Sequence, residues 1–286
     1  NISGERLHWF ADQNTQTDPG QAPEGFVNLA EKIDLAPKFN PPTTHSVQGK
    51  DGLFYIYTSG TTGLPKAVIF TNGRWTLAYG TYGHVLNLHK DDVMYCTLPL
   101  YHATGMVVCW CGVIAGSSTL AIRRKFSTSS FWKDVKKFDA SAIGYVGELC
   151  RYLMDAPPSE LEKDHRVTKM IGNGMRPNIW DKFKSRFGIQ EVLELYASSE
   201  GNVGFSNIFN FDNTVGFSPT PYAIIAFDKD KHEPVRDAKG HCKRVKKGEI
   251  GLLIGKITRR SPFDGYTDPE KNKSVIMQDV FSKGDA

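Results

Sequence analysis

The chain reads as an α/β protein: a mostly parallel sheet with flanking helices, followed by a small β-rich subdomain. Three observations carry this expectation. From residue 93 to residue 196, apolar runs of strand length alternate with stretches of helical period, the pattern of strands joined by crossover helices. Residues 93–122 hold no Asp, Glu, Lys or Arg, as elements covered on both faces do. After about Gly216 helical spacing gives way to YAIIAFDKDKHEPV and KGEIGLLIGKI, apolar runs separated by short charged turns.

Residues 1–52 are rich in Pro, Gly, Gln and Asn and predict a linker or the remnant of an upstream subdomain, with one short helix near 27–33. A strand over 53–57 follows, then a polar loop, then an apolar run at 67–70 that suits the return strand of a hairpin. The uncharged stretch divides into a strand (93–98), a helix (about 103–115) and a strand (119–122). Its length also raises a membrane span, but Pro99, Gly105, Gly112, Gly116 and the pair Ser117 and Ser118 interrupt it and favour a buried core. Residues 127–129 supply N-cap candidates for a helix that turns Phe131, Val135 and Phe138 to one face. A strand (142–146), a helix (147–154), a strand (168–171), a helix with Ile179, Trp180, Phe183 and Phe187 inward, and a strand (192–196) complete the alternation. The expected division is therefore 1–52, an α/β subdomain over 53–215 and a β-rich subdomain over 216–286.

With 286 residues, 40% hydrophobic and 23% charged, the composition is that of a globular chain with a large core, not a disordered or fibrous one. A net charge of +4 suits anionic ligands or an anionic membrane face without selecting either, and nucleic acid is not implied. The five cysteines, Cys96, Cys109, Cys111, Cys150 and Cys242, form no CxxC pair, which points to a reducing, cytoplasmic compartment and to no zinc site. Basic clusters at 123–125 and 243–247 leave peripheral membrane contact open beside the plainer reading of solvated turns. The start at Asn1 and the stop at FSKGDA suggest a piece of a longer protein.

The most informative stretch is YTSGTTGLPK, residues 57–66. Its glycines let backbone N–H groups point inward, Thr58, Ser59, Thr61 and Thr62 add hydroxyl donors, and Lys66 adds a mobile cation, so the segment suits a polyanion, above all a phosphate chain. It has neither the GxxxxGK[ST] nor the GxGxxG spacing, which disfavours a generic nucleoside-triphosphatase or dinucleotide site.

This loop resembles the phosphate-binding signature of the adenylate-forming, acyl-activating superfamily. LPLYHATG (98–105), GNGMRPNIW (172–180), YASSEG (196–201), GEIGLLI (248–254) and GYTDPE (265–270) follow in the order that superfamily uses. The phrases GELCRYL, GNGMRP and HEPVRD are most similar to the branch of fatty acid transport proteins and very-long-chain acyl-CoA synthetases. The likeness implies part of the large N-terminal domain of an acyl-CoA synthetase. It also implies a two-step ligation, in which a fatty carboxylate and Mg-ATP give acyl-AMP and pyrophosphate, and coenzyme A then displaces AMP. No protein nucleophile is needed, so such a site is built from donors, a cation and a metal ligand.

By that resemblance, Thr58, Ser59, Gly60, Thr61, Thr62 and Gly63 hold the β- and γ-phosphates and Lys66 adds charge. Gly172, Asn173, Gly174 and Met175 form a turn whose backbone faces adenine. Tyr196 stacks on the adenine ring, with Ala197 and Ser198 beside it. Ser199 stands where a threonine is usual, near the α-phosphate, and Glu200 offers a carboxylate oxygen to Mg²⁺. His102 lies on the substrate side, and Tyr145, Val146 and Gly147 line the acyl channel or simply end a buried strand. The family's ribose-binding Asp belongs to a TGD motif expected beyond residue 286, distinct from the KGD that ends at Asp285, and its C-terminal domain is missing. The chain alone is therefore expected to bind nucleotide poorly and to turn over hardly at all. Two alternatives stay open: a ligase for another carboxylate, and a fatty acid carrier that keeps the fold without the chemistry.

Overall fold

The structure, a computed structural model, describes residues 7–10, 22–58 and 65–286. The chain forms two compact units, Asn1–Val47 and Gln48–Ala286. In the first, β1 (His8–Trp9) pairs in parallel with β2 (Val27–Asn28). Helix α1 (Leu29–Asp34) follows, its first turn closed by the Asn28 side chain, which accepts from the Ala30 N–H.

The second unit opens with an antiparallel hairpin, β3 (Gly52–Thr58) and β4 (Lys66–Thr71). Helix α2 (Asn72–Ala78) comes next, then β5 (Val93–Cys96), α3 (Trp110–Gly116), β6 (Thr119–Ile122), α4 (Thr128–Lys137), β7 (Ala142–Val146) and α5 (Gly147–Asp155). After these run β8 (Lys169–Asn173), α6 (Pro177–Phe187), β9 (Glu191–Ala197) and β10 (Gly204–Ser206). The last stretch carries β11 (Tyr222–Ile225), β12 (Phe227–Asp228), β13 (Glu233–Pro234), β14 (Leu252–Gly255) and α7 (Pro269–Val275).

The main sheet has six strands in the order β10-β9-β8-β7-β5-β6. It is parallel throughout except for β10, which returns antiparallel to β9. Chain order reverses between β5, which leads outward to β6, and β7, which leads the other way. In an open parallel sheet the crevice at such a reversal, beyond the carboxyl ends of the strands, is where ligands bind. Both faces are covered: Met94, Ile143, Met170 and Val192 of the strands share one core with Phe131 and Trp132 of α4, Leu149 and Leu153 of α5, and Trp180, Phe183 and Phe187 of α6. Trp132 stacks on Phe187 at 4.8 Å. Helix α6 starts with Pro177 and stops at Gly188, whose φ of 69° suits a residue without a Cβ.

The α/β class with a mostly parallel sheet holds, and several local expectations change. In α4 the buried face is Phe131, Trp132 and Val135, because the helix ends at Lys137 and Phe138 leaves its register, 40% exposed. Ser127 sits at the N-cap but spends its hydroxyl on Ser129 and Ser130 instead of the helix backbone. The helix expected over 103–115 begins with π-helical turns, Thr104–Cys109, before α3. Gly172 and Asn173 belong to β8, so only Gly174 and Met175 start the turn. Beyond Gly216 the structure is not all β: Asp268 caps α7, accepting from the Glu270 and Lys271 N–H groups. Among the described residues no helix is long and apolar enough to cross a membrane.

Candidate active site

Five of the expected phosphate-loop residues, Ser59, Gly60, Thr61, Thr62 and Gly63, lie outside the described residues. The two flanks are described. Thr58 and Lys66 face each other as the last pair of the β3–β4 ladder, and the Thr58 hydroxyl donates to the Lys66 carbonyl at 3.4 Å. The two flanks are thus joined as one pair of the ladder.

The free edge of β4 is taken by the GYTDPE segment. Ile69 N–H donates to the Gly265 carbonyl and Thr267 N–H to the Ala67 carbonyl, both at 3.0 Å, with Val68 opposite Tyr266. Tyr266 is buried, with its hydroxyl within the influence of the Glu200 carboxylate. Burial first, and the Glu200 charge second, push the Tyr266 phenol up to about 12, so at neutral pH it stays protonated.

Glu200 sits in a tight turn after β9, in which Gly201 N–H donates to the Ser198 hydroxyl at 3.0 Å. Arg74 of α2 grips the turn from outside. Its guanidinium donates to the Ser199 carbonyl at 2.7 Å and the Gly201 carbonyl at 3.3 Å, and it rests 4.6 Å from the Phe70 ring centroid. Burial lowers the Arg74 pKa, while Asp264 and Glu200 oppose the shift by their charge. Asp264 in turn accepts from the Thr71 hydroxyl at 3.0 Å, and Thr71 caps α2 through the Arg74 N–H. Three segments far apart in sequence, 66–74, 196–201 and 264–267, are thus tied together beside the root of the glycine-rich loop.

On the other side of β9 lies a second polar cluster. Glu194 is 3% exposed, and its carboxylate accepts from the Tyr145 hydroxyl, from Gly174 N–H and, at 3.2 Å, from Met175 N–H. Burial raises its pKa against these three donors. Two residues on, Tyr196 emerges 52% exposed with Phe205 edge-on at 6.3 Å, and Ala197 and Ser198 follow it into solvent. Tyr145 does not line an open channel: it is fully buried, with its hydroxyl on Glu194. Gly147 meets the Gly174 carbonyl so closely that a Cβ there would overlap it. Val146, half-buried, pairs with Asn173. Thr104 donates to the Asn173 side-chain oxygen at 3.0 Å, which joins the LYHATG segment to the same edge. His102 is exposed there, its Nδ1 accepting from the Thr104 N–H at 3.3 Å.

Arg74, Glu194 and Tyr266 escaped the sequence reading. The signal for Glu194 was present: an acid at the centre of VLEL, where both neighbours and the acid itself are buried. Among the described residues no three His, Cys, Asp or Glu side chains gather into a metal site. Glu200, part-exposed, still fits Mg²⁺, which takes one or two carboxylates and completes its shell with phosphate oxygens and water.

The model of the AMP-binding enzyme family matches residues 6–251. The chain belongs to that family. Relatives of this chain include the medium/long-chain-fatty-acid–CoA ligase FadD6 of Mycobacterium tuberculosis, 46% identical over 266 residues that cover 91% of this chain and 45% of the relative. Long-chain fatty acid transport protein 6 of Homo sapiens is 40% identical over 278 residues, 92% of this chain and 44% of that protein. The resemblance to the transport-protein and acyl-CoA synthetase branch is borne out by these names. Among solved structures, the inhibitor-bound N-terminal domain of FACL13 from Mycobacterium tuberculosis superposes with a TM-score of 0.66 at 21% identity, covering 92% of this chain and 64% of that one, a likeness of fold. The chain spans less than half the length of these two curated relatives.

Proposed function

We propose that this chain supplies the nucleotide-binding part of an AMP-forming fatty acyl-CoA ligase acting on long-chain or very-long-chain fatty acids. The carboxylate oxygen of the fatty acid attacks the α-phosphorus of ATP, the bond to pyrophosphate breaks, and acyl-AMP forms. The thiol of coenzyme A then attacks the acyl carbonyl, giving the thioester, AMP and the thiol proton. The observation that carries this reading is the assembly of three segments at the root of the loop: Arg74 binds the carbonyls on both sides of Glu200, and Tyr266, paired with the strand that Lys66 opens, lies within the influence of the Glu200 charge. Such a frame holds charge in place before a substrate arrives, which is what phosphoryl chemistry asks of a protein.

In this reading the loop from Thr58 to Gly63 and Lys66 bind the β- and γ-phosphates, and Ser199 lies near the α-phosphate. Glu200 would hold Mg²⁺, which supplies charge neutralisation on the phosphates when bound. Residues 172–175 and Tyr196 take the adenine, and His102, Val146 and Gly147 lie toward the acyl group. Residues 53–215 form the nucleotide-binding subdomain and 216–286 the β-rich one. We place the protein in the cytoplasm; contact at a membrane surface stays the alternative to solvated turns for its basic clusters. Of the basic cluster at 123–125, Arg123 is engaged in an ion pair with Asp134, which favours the structural reading of that run.

A second reading, a carrier that binds fatty acid without activating it, draws on the transport proteins among the relatives. Fatty-acid-dependent exchange of pyrophosphate into ATP by the complete protein, run across a chain-length series, separates the two. Exchange that falls on the order of a hundredfold in Lys66→Ala supports the ligase, as expected for loss of one preorganised charge. Full exchange in that variant refutes the assignment of Lys66, and no exchange in the wild type favours the carrier.

A further inference from the structure

The Glu194 carboxylate sits at the carboxyl edge of the sheet and joins three strands at once. It stands on β9, takes the hydroxyl of Tyr145 from β7, and takes the N–H groups of Gly174 and Met175 from the turn after β8. Two successive N–H groups held by one carboxylate fix the rotation of both peptide planes. They therefore fix where the carbonyls of Asn173 and Gly174 point. The turn has little other freedom: its Gly174 carbonyl presses on Gly147, and a Cβ on Gly172 would overlap the Tyr145 carbonyl. Two residues beyond Glu194, and on the same side of β9 by strand alternation, the chain presents Tyr196, an exposed ring.

We propose that Glu194 is a positioning residue for the purine base of ATP: a carboxylate that never touches the nucleotide but holds the turn at 173–175 and Tyr196 in one register. This rests on the nucleotide reading above and adds to it a division of labour. The Lys66–Glu200 side meets the phosphates and the Glu194 side sets the fit of the base. A neutral amide cannot replace the acid, because its NH₂ group would face one of three donors that have no other partner among the described residues. Loss of a carboxylate that only held the fold would lower stability without separating base from phosphate.

The test measures binding of Mg-ATP and of inorganic tripolyphosphate to the complete protein by calorimetry, in the wild type, Glu194→Gln and Tyr145→Phe. Glu194→Gln is expected to weaken ATP binding by about tenfold or more, the weight of one lost charge-assisted hydrogen bond, while tripolyphosphate binding stays within about twofold. Tyr145→Phe removes one donor and keeps the ring, so it should weaken ATP by about threefold, again sparing tripolyphosphate, and it stands in if the glutamine variant does not fold. Equal affinity for ATP in the wild type and the variants overturns the inference, as does equal loss of both ligands. A wild type that binds tripolyphosphate no more weakly than ATP, or binds no ATP, sinks the nucleotide reading itself and this inference with it.

Discussion

Replacing Arg74 by methionine tests whether the guanidinium, and not merely its alkyl stem, holds the Glu200 turn. Methionine keeps much of the stem over Phe70 and removes two hydrogen bonds to carbonyls, one of 2.7 Å and one of 3.3 Å. A hydrogen bond from a charged donor contributes about 1.5–3 kcal/mol, and the longer, weaker bond adds a fraction of that. Against this stands the cost of desolvating the cation, visible in its lowered pKa, which the variant recovers in part. The net loss should be about 2–3 kcal/mol, or roughly 1 M in urea midpoint at the slope of about 2–3 kcal/mol/M expected for a large domain. Arg74→Lys should fall between, because an ammonium keeps the charge beside Asp264 and Glu200 but cannot span two carbonyls. Urea unfolding followed by tryptophan fluorescence is the assay, with Mg-ATP affinity measured in parallel. A methionine variant that unfolds within about 0.2 M of the wild type, or a lysine variant as weak as methionine, would refute the claim that the fork matters.

Three further outcomes follow from the packing. Gly147→Ala drives a Cβ into the Gly174 carbonyl, a backbone atom that cannot swing aside, and should lower the Tm by roughly 4–10 °C; an unchanged Tm would contradict the contact. Phe183→Ala empties a fully buried site 4.6 Å from the Phe187 ring and should cost about 3–5 kcal/mol, read as a drop in urea midpoint with the fold otherwise intact. His165 is held by burial below its ordinary pKa of 6.5, its ring stacked on Trp132 at 4.7 Å. The unfolded chain therefore binds the proton first, so the stability from the neutral ring is complete above about 6.5 and is lost as the pH falls through the lower folded value. Urea midpoints between about pH 7.5 and about pH 5.5 should fall more steeply in the wild type than in His165→Phe, and equal slopes would remove His165 from the acid response.

Much of the parallel sheet was legible because its strands are apolar runs of the right length separated by helix-period stretches. The hairpin around the loop was legible for the same reason. What sequence could not supply was adjacency. Nothing in the residues says that β7 returns beside β5, yet that reversal puts the LYHATG segment and the turn at 174–175 on one edge, joined by Thr104 and Asn173. Trp132 in place of Phe138 shows a second limit. The spacing 131, 135, 138 fits a helix that continues, and this one stops a residue short. Arg74 was invisible for a different reason: its partners are backbone carbonyls, which every residue has. For Tyr145 the sequence left open an acyl channel or a buried strand end, because a strand end alone does not tell which way its last aromatic faces; the buried end is what the fold shows.

The two glutamates of the segment from β9 to the following turn show how one stretch of chain serves two ends. Glu194 and Glu200 have the same side chain, and their surroundings set what each can do. Glu194 is buried and its oxygens are filled by three protein donors, so it has little capacity left for a ligand and acts on the backbone around it. Glu200 lies within the influence of the Tyr266 hydroxyl and of the Arg74 cation, with no ion pair to Arg74 among the described residues. A carboxylate offers about four acceptor positions, so Glu200 keeps room for a hard cation while its aim is fixed by groups that bind its turn. Exchanging the two environments by sequence would need changes on β7, β8, β4 and α2 together. In the proposed function, holding the nucleotide therefore depends on the sheet edge as much as on the glycine-rich loop that first draws the eye.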